Sequence, residues 1–344
     1  MRLITADGTP PSLARVPAPD GPPAAAPLRV ALVQHRWRED ADELARVLDA
    51  AVGQAAQAGA EIVFLPEITV LRYPADVLPT EPPGPGAESL EDGPTVSLAR
   101  AAATRHGVFV HASLYERAER PDGADPSTPP DGLGYNTAVV VSPDGEVVAR
   151  TRKTHIPVTA GYHEDRYFRA GPAEDAYPVH DVATSVPLRL GLPTCWDEWF
   201  PEVARAYSIG GAQVLCYPTA IGSEPDHPDF DTQPLWQQVI VGNGIANGLF
   251  MVVPNRTGDE GVNDFYGSSF ISDPYGRVLV QAPRDEEAVL VADLDLAQRE
   301  DWLALFPFLS TRRPDSYGIL TEPVRPEHVR VDPHAVTHGT EVER

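Results

Sequence analysis

The chain has 344 residues, of which 37 are proline, about twice the usual share; 42% are hydrophobic, enough for one large α/β domain or two ordinary ones and too many for a disordered chain. The 50 acidic residues outnumber the 27 basic ones and give a net charge of −23, so neither a nucleic acid nor an anionic membrane is expected as a partner. Two cysteines, no apolar leader and no long apolar run predict a protein without a disulfide framework or membrane span, in a reducing cytoplasmic compartment.

In chain order, residues 1–27 are rich in Pro and Ala and read as a flexible or loosely docked extension. LRVALVQ from Leu28 predicts a strand, and Leu44, Val47, Leu48, Ala51 and Val52 predict a helix over about 40–58, stopped by Gly59. EIVFLPE, 61–67, is a continuous apolar run suited to a strand buried on both faces. A helix over 95–105, a strand over 106–116 and a Pro/Gly-rich polar loop over 117–134 follow. YNTAVVV and VVARTRK read as a hairpin turning at Asp144-Gly145, and residues 154–175 as irregular. LRLGLPTCW is a strand entering a sharp turn, 200–212 a helix, QVLCYPTA a strand, QPLWQQVIVGNGIANG a helix and LFMVVPNRTG a strand. GSSFISDPYGRVLVQ predicts a hairpin and AVLVADLDL a last strand, with a charged tail after about Leu320. Strands alternating with helices, some joined by hairpins, predict a mixed sheet.

Three of these segments deliver a reactive residue at the C-terminal end of an apolar strand: Glu67 after IVFLP, Lys153 after VVARTR and Cys195 after LRLGLPT. Ligands of α/β sheets bind beyond the strand carboxyl ends, so the three side chains could share one crevice. Lys153 is the single lysine in the chain, which suggests a place where a compact ammonium is needed and arginine will not serve. A cysteine attacks as thiolate, and Glu67 is the candidate base that takes its proton. Lys153 and the backbone N–H of Trp196 could hold a developing oxyanion. Together these groups would run acyl transfer through a thioester. Singly, each has a plainer reading: a solvated glutamate, a surface lysine, a small core cysteine.

The motifs FLPE, RKTHIP and CWDEWFPEVAR, with GYHEDRYFRAG, YPTAIG, NRTG, YGSSFISDPYG and RRPDSYG, resemble those of the carbon–nitrogen hydrolase (nitrilase) superfamily over roughly residues 28–322, leaving 323–344 as a C-terminal tail. The resemblance implies an α/β fold, a four-layer α-β-β-α sandwich. It also implies hydrolysis of a non-peptide C–N bond, no metal or organic cofactor, and a homodimer or larger homo-oligomer. It makes Glu67 the base, Lys153 the oxyanion stabiliser and Cys195 the nucleophile. It adds Glu164 of HEDRYF as a second glutamate that holds Lys153 or positions substrate, with Asp165 as its rival.

Within the superfamily the sequence is most similar to the N-carbamoylputrescine amidase branch, through CWDEWFPE, YPTAIG and KTHIP. Two positions depart from that branch: Glu198 stands where Gln is usual, and Val158 where an acid is usual. Trp196, Glu198 and Ala220 are the expected substrate-binding residues, although Trp196 and Trp199 could equally pack in the core. No arginine follows Cys195 until Arg205, so Asp197 and Glu198 make an acidic mouth, suited to a cationic or neutral small molecule. On the alternative reading Asp197 caps the helix beginning near Pro201 and Glu198 faces solvent. Glu116 reads as structural, His155 as a packing or hydrogen-bonding residue, and Cys216 as an inert buried thiol. No sequence spacing for a metal is present.

Overall fold

The computed structural model describes residues 1–15, 26–79, 86–118 and 132–325. Most of the polar loop read over 117–134, residues 16–25 and the tail beyond 325 lie outside that description. The first strands and helices are β1 (Arg2–Thr5), β2 (Leu28–Gln34), α1 (Ala41–Gln57), β3 (Ile62–Phe64), α2 (Pro94–His106), β4 (Phe109–Glu116), β5 (Tyr135–Val141) and β6 (Val147–Arg152). Two short strands, β7 (Val158–Thr159) and β8 (Tyr162–His163), precede β9 (Val179–Val182), β10 (Leu188–Gly191), α3 (Pro201–Ile209), β11 (Val214–Cys216) and α4 (Gln233–Asn247). The series closes with β12 (Phe250–Val253), β13 (Thr257–Asp259), β14 (Asp264–Tyr266), β15 (Phe270–Ser272), β16 (Val278–Gln281), β17 (Ala288–Leu294) and α5 (Gln298–Leu305).

Two mixed sheets form within Met1–Phe306: β1-β17-β2-β3-β4-β5-β6 and β16-β15-β12-β11-β10-β9. The strand sequences explain how they stack. In β2, Leu28, Val30 and Leu32 point into a layer shared with Leu190, Val214, Phe250 and Val252 of the second sheet. The alternate residues Ala31 and Val33 pack under Leu44, Leu48 and Val52 of α1 and Val96 of α2. On the far side, Leu215, Met251 and Val253 pack against Val203 and Tyr207 of α3 and Trp236 and Ile240 of α4. The result is the four-layer α-β-β-α sandwich, and because both faces of each sheet are covered its central strands, such as β2, β3, β5, β11 and β12, read as nearly unbroken apolar runs. Cys216 lies in the layer between the sheets, where burial pushes its thiol pKa well up and leaves it inert.

Helix ends follow local chemistry. Asp40 caps α1 by accepting from the Glu43 N–H at 3.0 Å, and Pro94 opens α2 where a missing N–H costs nothing. Gly248 ends α4 with φ +64°, a conformation that disfavours any side chain. Burial of Leu44 and Leu48 on the inner stripe of α1 contributes about 1.5–3 kcal/mol each relative to exposure.

Two elements differ from the sequence reading. Residues 2–5 of the expected extension are an edge strand: β1 pairs in parallel with β17, from Arg2 opposite Ala288 to Thr5 opposite Val291. The open edge of β17 satisfies backbone groups that a loose segment would leave to water. The helix α5 also went unread, because QREDWLAL has little apolar periodicity. Pro307–Arg344 forms a second, small unit, described as far as Arg325 and containing two 3-10 turns, Pro314–Ser316 and Gly318–Thr321.

Candidate active site

Strands β3, β6 and β10 each end just before one of the three reactive residues, and the side chains of Glu67 and Lys153 meet. Lys153 Nζ donates to Glu67 Oε1 at 2.9 Å and to both oxygens of Glu164, at 2.8 and 2.7 Å. All three ammonium hydrogens therefore have carboxylate acceptors, and Lys153, Glu67 and Glu164 are each essentially inaccessible to water. Glu164, not Asp165, is the second glutamate in contact with Lys153.

The carboxylate of Glu67 is held on both oxygens. Oε1 also accepts from Asn136 Nδ2 at 2.7 Å, and Oε2 accepts from the Ala220 backbone N–H at 2.8 Å. Glu164 is fixed from its far side by the Tyr73 hydroxyl, which donates to Oε1 at 2.7 Å. Cys195 opens a 3-10 turn, Cys195–Trp199, with φ +42°, a left-handed conformation that is strained for a residue with a Cβ. Its N–H donates to Pro218 O at 3.0 Å. The turn is held by Asp197, whose carboxylate accepts from the N–H groups of Thr194 at 3.0 Å and His155 at 2.9 Å. Asp197 thus braces the turn containing Cys195 and does not cap α3, which starts at Pro201 with no side-chain cap. His155 completes the brace: its Nδ1 lies 2.7 Å from Asp197 Oδ1, and its ring stacks on Phe200 at 3.7 Å.

One buried cation among several acids sets the electrostatics. Burial works against the charge on Lys153, yet Glu164 and Glu67 raise its pKa well above the ordinary value, so it stays an ammonium. Burial raises Glu164 to about 7 despite the pull of Lys153. Cys195 is pushed well up by burial and by Glu67, so its resting form is the thiol and attack needs a base at hand.

Glu198 is buried completely, which overturns its reading as part of an acidic mouth and also the alternative that it faces solvent. Neither carboxyl oxygen completes an ordinary hydrogen bond, and the indole N–H of Trp236 faces the group. Burial drives its pKa well up, so at neutral pH it is the uncharged acid. A neutral carboxylic acid, like the glutamine amide, is uncharged and offers a carbonyl acceptor beside a donor group (one O–H where the amide has two N–H), so the departure from Gln at this position is chemically small.

Cys195 opens onto a cavity of about 380 Å³ with largely apolar walls: Pro157, Trp196, Trp199, Ile221, Phe230 and Leu235. Of the three expected substrate contacts, Trp196 lines this cavity; Glu198 and Ala220 do not, since Glu198 is enclosed and Ala220 turns its N–H to Glu67. The carboxylate in the wall is instead Glu224, with His227 beside it, and the described lining contains no Lys or Arg. Sequence reading also missed Tyr73 and Asn136. Their only sequence signal is a polar group inside otherwise apolar runs. Glu116 is structural, accepting from Arg152 Nε at 2.9 Å and Thr137 Oγ1 at 2.6 Å. Among the described residues no cluster of three His, Cys, Asp or Glu side chains could hold a metal ion.

Comparison with known proteins supplies the family. Residues 29–304 match the carbon–nitrogen hydrolase family. A citrullinase from Francisella tularensis is 33% identical over 84% of this chain and 96% of its own length. An N-carbamoylputrescine amidase from Solanum lycopersicum is also 33% identical, over 85% of this chain and 94% of its own. Among solved structures, a carbon–nitrogen hydrolase from Helicobacter pylori G27 superposes with a TM-score of 0.72 at 30% identity, covering 86% of this chain and 98% of that one.

Proposed function

Since the chain belongs to the carbon–nitrogen hydrolase family, we propose that it hydrolyses the terminal ureido group of a small cationic N-carbamoyl amine, with N-carbamoylputrescine as the best substrate. The observation that carries this reading is the cavity over Cys195, which joins apolar walls to one carboxylate, Glu224, and has no Lys or Arg in its described lining. An aliphatic chain would lie along Trp196, Trp199 and Leu235, and its ammonium would pair with Glu224. A substrate with an α-carboxylate, such as citrulline, would leave that anion without a guanidinium or ammonium partner. The named relatives include both kinds of enzyme.

In the proposed mechanism Cys195 Sγ attacks the ureido carbon while its proton passes to Glu67. The Oε2 atom suits this role, since Oε1 already accepts from both Lys153 and Asn136. The carbonyl oxygen becomes an oxyanion held by Lys153 and by the Trp196 N–H, which has no intrahelical acceptor in the first turn. Lys153 can turn one hydrogen toward it, because two of its three bonds go to the same carboxylate. Glu67 returns the proton to the nitrogen, and ammonia leaves a thiocarbamate on Cys195. Glu67 then takes a proton from water as it attacks that carbon. The thiol is restored, and the released carbamate decomposes to carbon dioxide and the amine.

The test is ammonia release from N-carbamoylputrescine, citrulline, simple amides and nitriles. N-carbamoylputrescine is expected to have the highest kcat/KM, and preference for citrulline or for a neutral amide would overturn the substrate assignment. Glu224→Gln is expected to raise KM for N-carbamoylputrescine roughly tenfold, equivalent to about 1.4 kcal/mol, and to leave a neutral alkyl urea unaffected. Glu198→Gln is expected to leave kcat/KM at neutral pH unchanged, because it replaces a neutral acid with a neutral amide; a large loss in the same assay would show that the carboxyl itself is needed.

A further inference from the structure

Arg256, in the NRTG motif, is fully buried and forms an ion pair with Glu260, donating from Nη1 to both carboxylate oxygens at 2.7 Å. Its other nitrogens bind main chain in the segment that carries Glu67. Nε donates to Glu67 O at 3.1 Å, and Nη2 donates to the carbonyls of Ile68 and Leu71. Glu260 extends the grip, accepting the Tyr73 N–H at 2.9 Å; Tyr73 in turn donates its hydroxyl to Glu164. The neighbour Asn255 pins the opposite wall, bonding both the N–H and the carbonyl of Ile221, at 3.1 and 3.0 Å. Ile221 follows Ala220, the residue whose N–H holds Glu67 Oε2.

We infer that the Arg256–Glu260 pair is a positioning clamp for the general base, acting through the backbone of residues 67–73. The reason for a clamp is visible one residue beyond Glu67. Ile68 has φ +46°, a left-handed conformation that is an outlier for a β-branched side chain. Left to itself this turn would relax, and the Glu67 carboxylate would swing away from Lys153. The planar fork of arginine meets the three carbonyls and a carboxylate at once; an ammonium with three hydrogens cannot reproduce that geometry. Arg256 does not line the cavity over Cys195, so it is a positioning residue that acts through the segment carrying Glu67 and Tyr73.

This inference rests on Glu67 being the base for Cys195. The test is alkylation of Cys195 by iodoacetamide as a function of pH, together with kcat, KM and thermal melting, for Arg256→Lys and Glu260→Gln. Wild type should alkylate at neutral pH with help from Glu67. Arg256→Lys should lose that neutral limb and regain reactivity only at alkaline pH, with kcat lower by about 100-fold, the size expected for a misplacement near 1 Å, and KM little changed. Glu260→Gln keeps the main-chain bonds of Arg256 and should shift the profile in the same direction by less; it also carries the test should Arg256→Lys prove insoluble. A merely structural role would lower the melting temperature while leaving the alkylation profile and kcat per active site unchanged, and that result would overturn the clamp. Wild type that alkylates in this way but releases no ammonia from ureido compounds would retire the substrate proposal alone. Glu67→Gln with an unaltered profile would remove the premise itself, and the clamp with it.

Discussion

Cys195→Ala is expected to release no measurable ammonia from N-carbamoylputrescine while folding like the wild type. The loss should be on the order of 10⁶-fold in kcat, as when a nucleophile is removed from covalent catalysis. Neither Glu67 nor Lys153 can form the thiocarbamate, and no other thiol is near: Cys216 lies in the layer between the sheets. The fold should tolerate the change because alanine keeps the Cβ and the left-handed φ of the turn. Asp197 bridges Thr194 and His155 without using the sulfur. Deleting one buried heavy atom at such a site costs about 1 kcal/mol or less, so the melting temperature should barely move. Ammonia assays and melting curves on the same preparation check both halves. Near-normal ammonia release would end the thioester proposal, and an unfolded variant would mean that the turn depends on its sulfur.

The parts of this site that were legible in the sequence share one property: each follows the C-terminal end of a sheet strand, β3, β6 or β10. β3 is buried throughout and shows as an apolar run, while β6 and β10 show as apolar stretches interrupted by an exposed arginine, and in each case the reactive residue stands where the strand gives out. Glu67, Lys153 and Cys195 could be found that way, and the hydrophobic runs also fix the layers, because Leu28, Val30 and Leu32 alternate with Ala31 and Val33. Long-range partners carry no such mark. Asn136 is 69 residues from Glu67, Tyr73 is 91 from Glu164, and Arg256 is 189 from the carbonyl it binds, so their roles exist only once the sheets have stacked. Glu198 misleads for a different reason. A glutamate between two tryptophans reads as a charge at the surface, and only its enclosure reveals that it is a neutral acid. The strand β1 and helix α5 were missed because short segments with weak periodicity depend on a neighbouring edge or face for their structure.

Replacing Lys153 should have two separable consequences. Lys153→Arg keeps the charge and is expected to lower kcat by about 10²–10³-fold, the cost of losing one oxyanion donor. The ammonium sits in a space closed by Glu67 and Glu164 with no exposure to water, and a guanidinium is too wide to bond both carboxylates and still aim a hydrogen at the reacting oxygen. Lys153→Met removes the charge as well. It leaves two carboxylates facing each other in a dry site, and breaking a buried pair in this way costs about 3–5 kcal/mol. The sign of its pH dependence follows from Glu164, which burial already raises to about 7 in the presence of the ammonium. Without Lys153 its folded pKa lies higher still, above the unfolded value near 4.3. A carboxyl with a raised folded pKa binds more protons when folded, so the variant is most stable at acid pH and loses stability as pH rises through that window. Wild type shares this loss up to about pH 7, where its own Glu164 ionises, so the gap in melting temperature between wild type and Lys153→Met should stay nearly constant below about pH 6 and widen above about pH 7. A gap that stays constant above about pH 7 as well would mean that Glu164 has another counter-charge, and that Lys153 is not what keeps the two glutamates together.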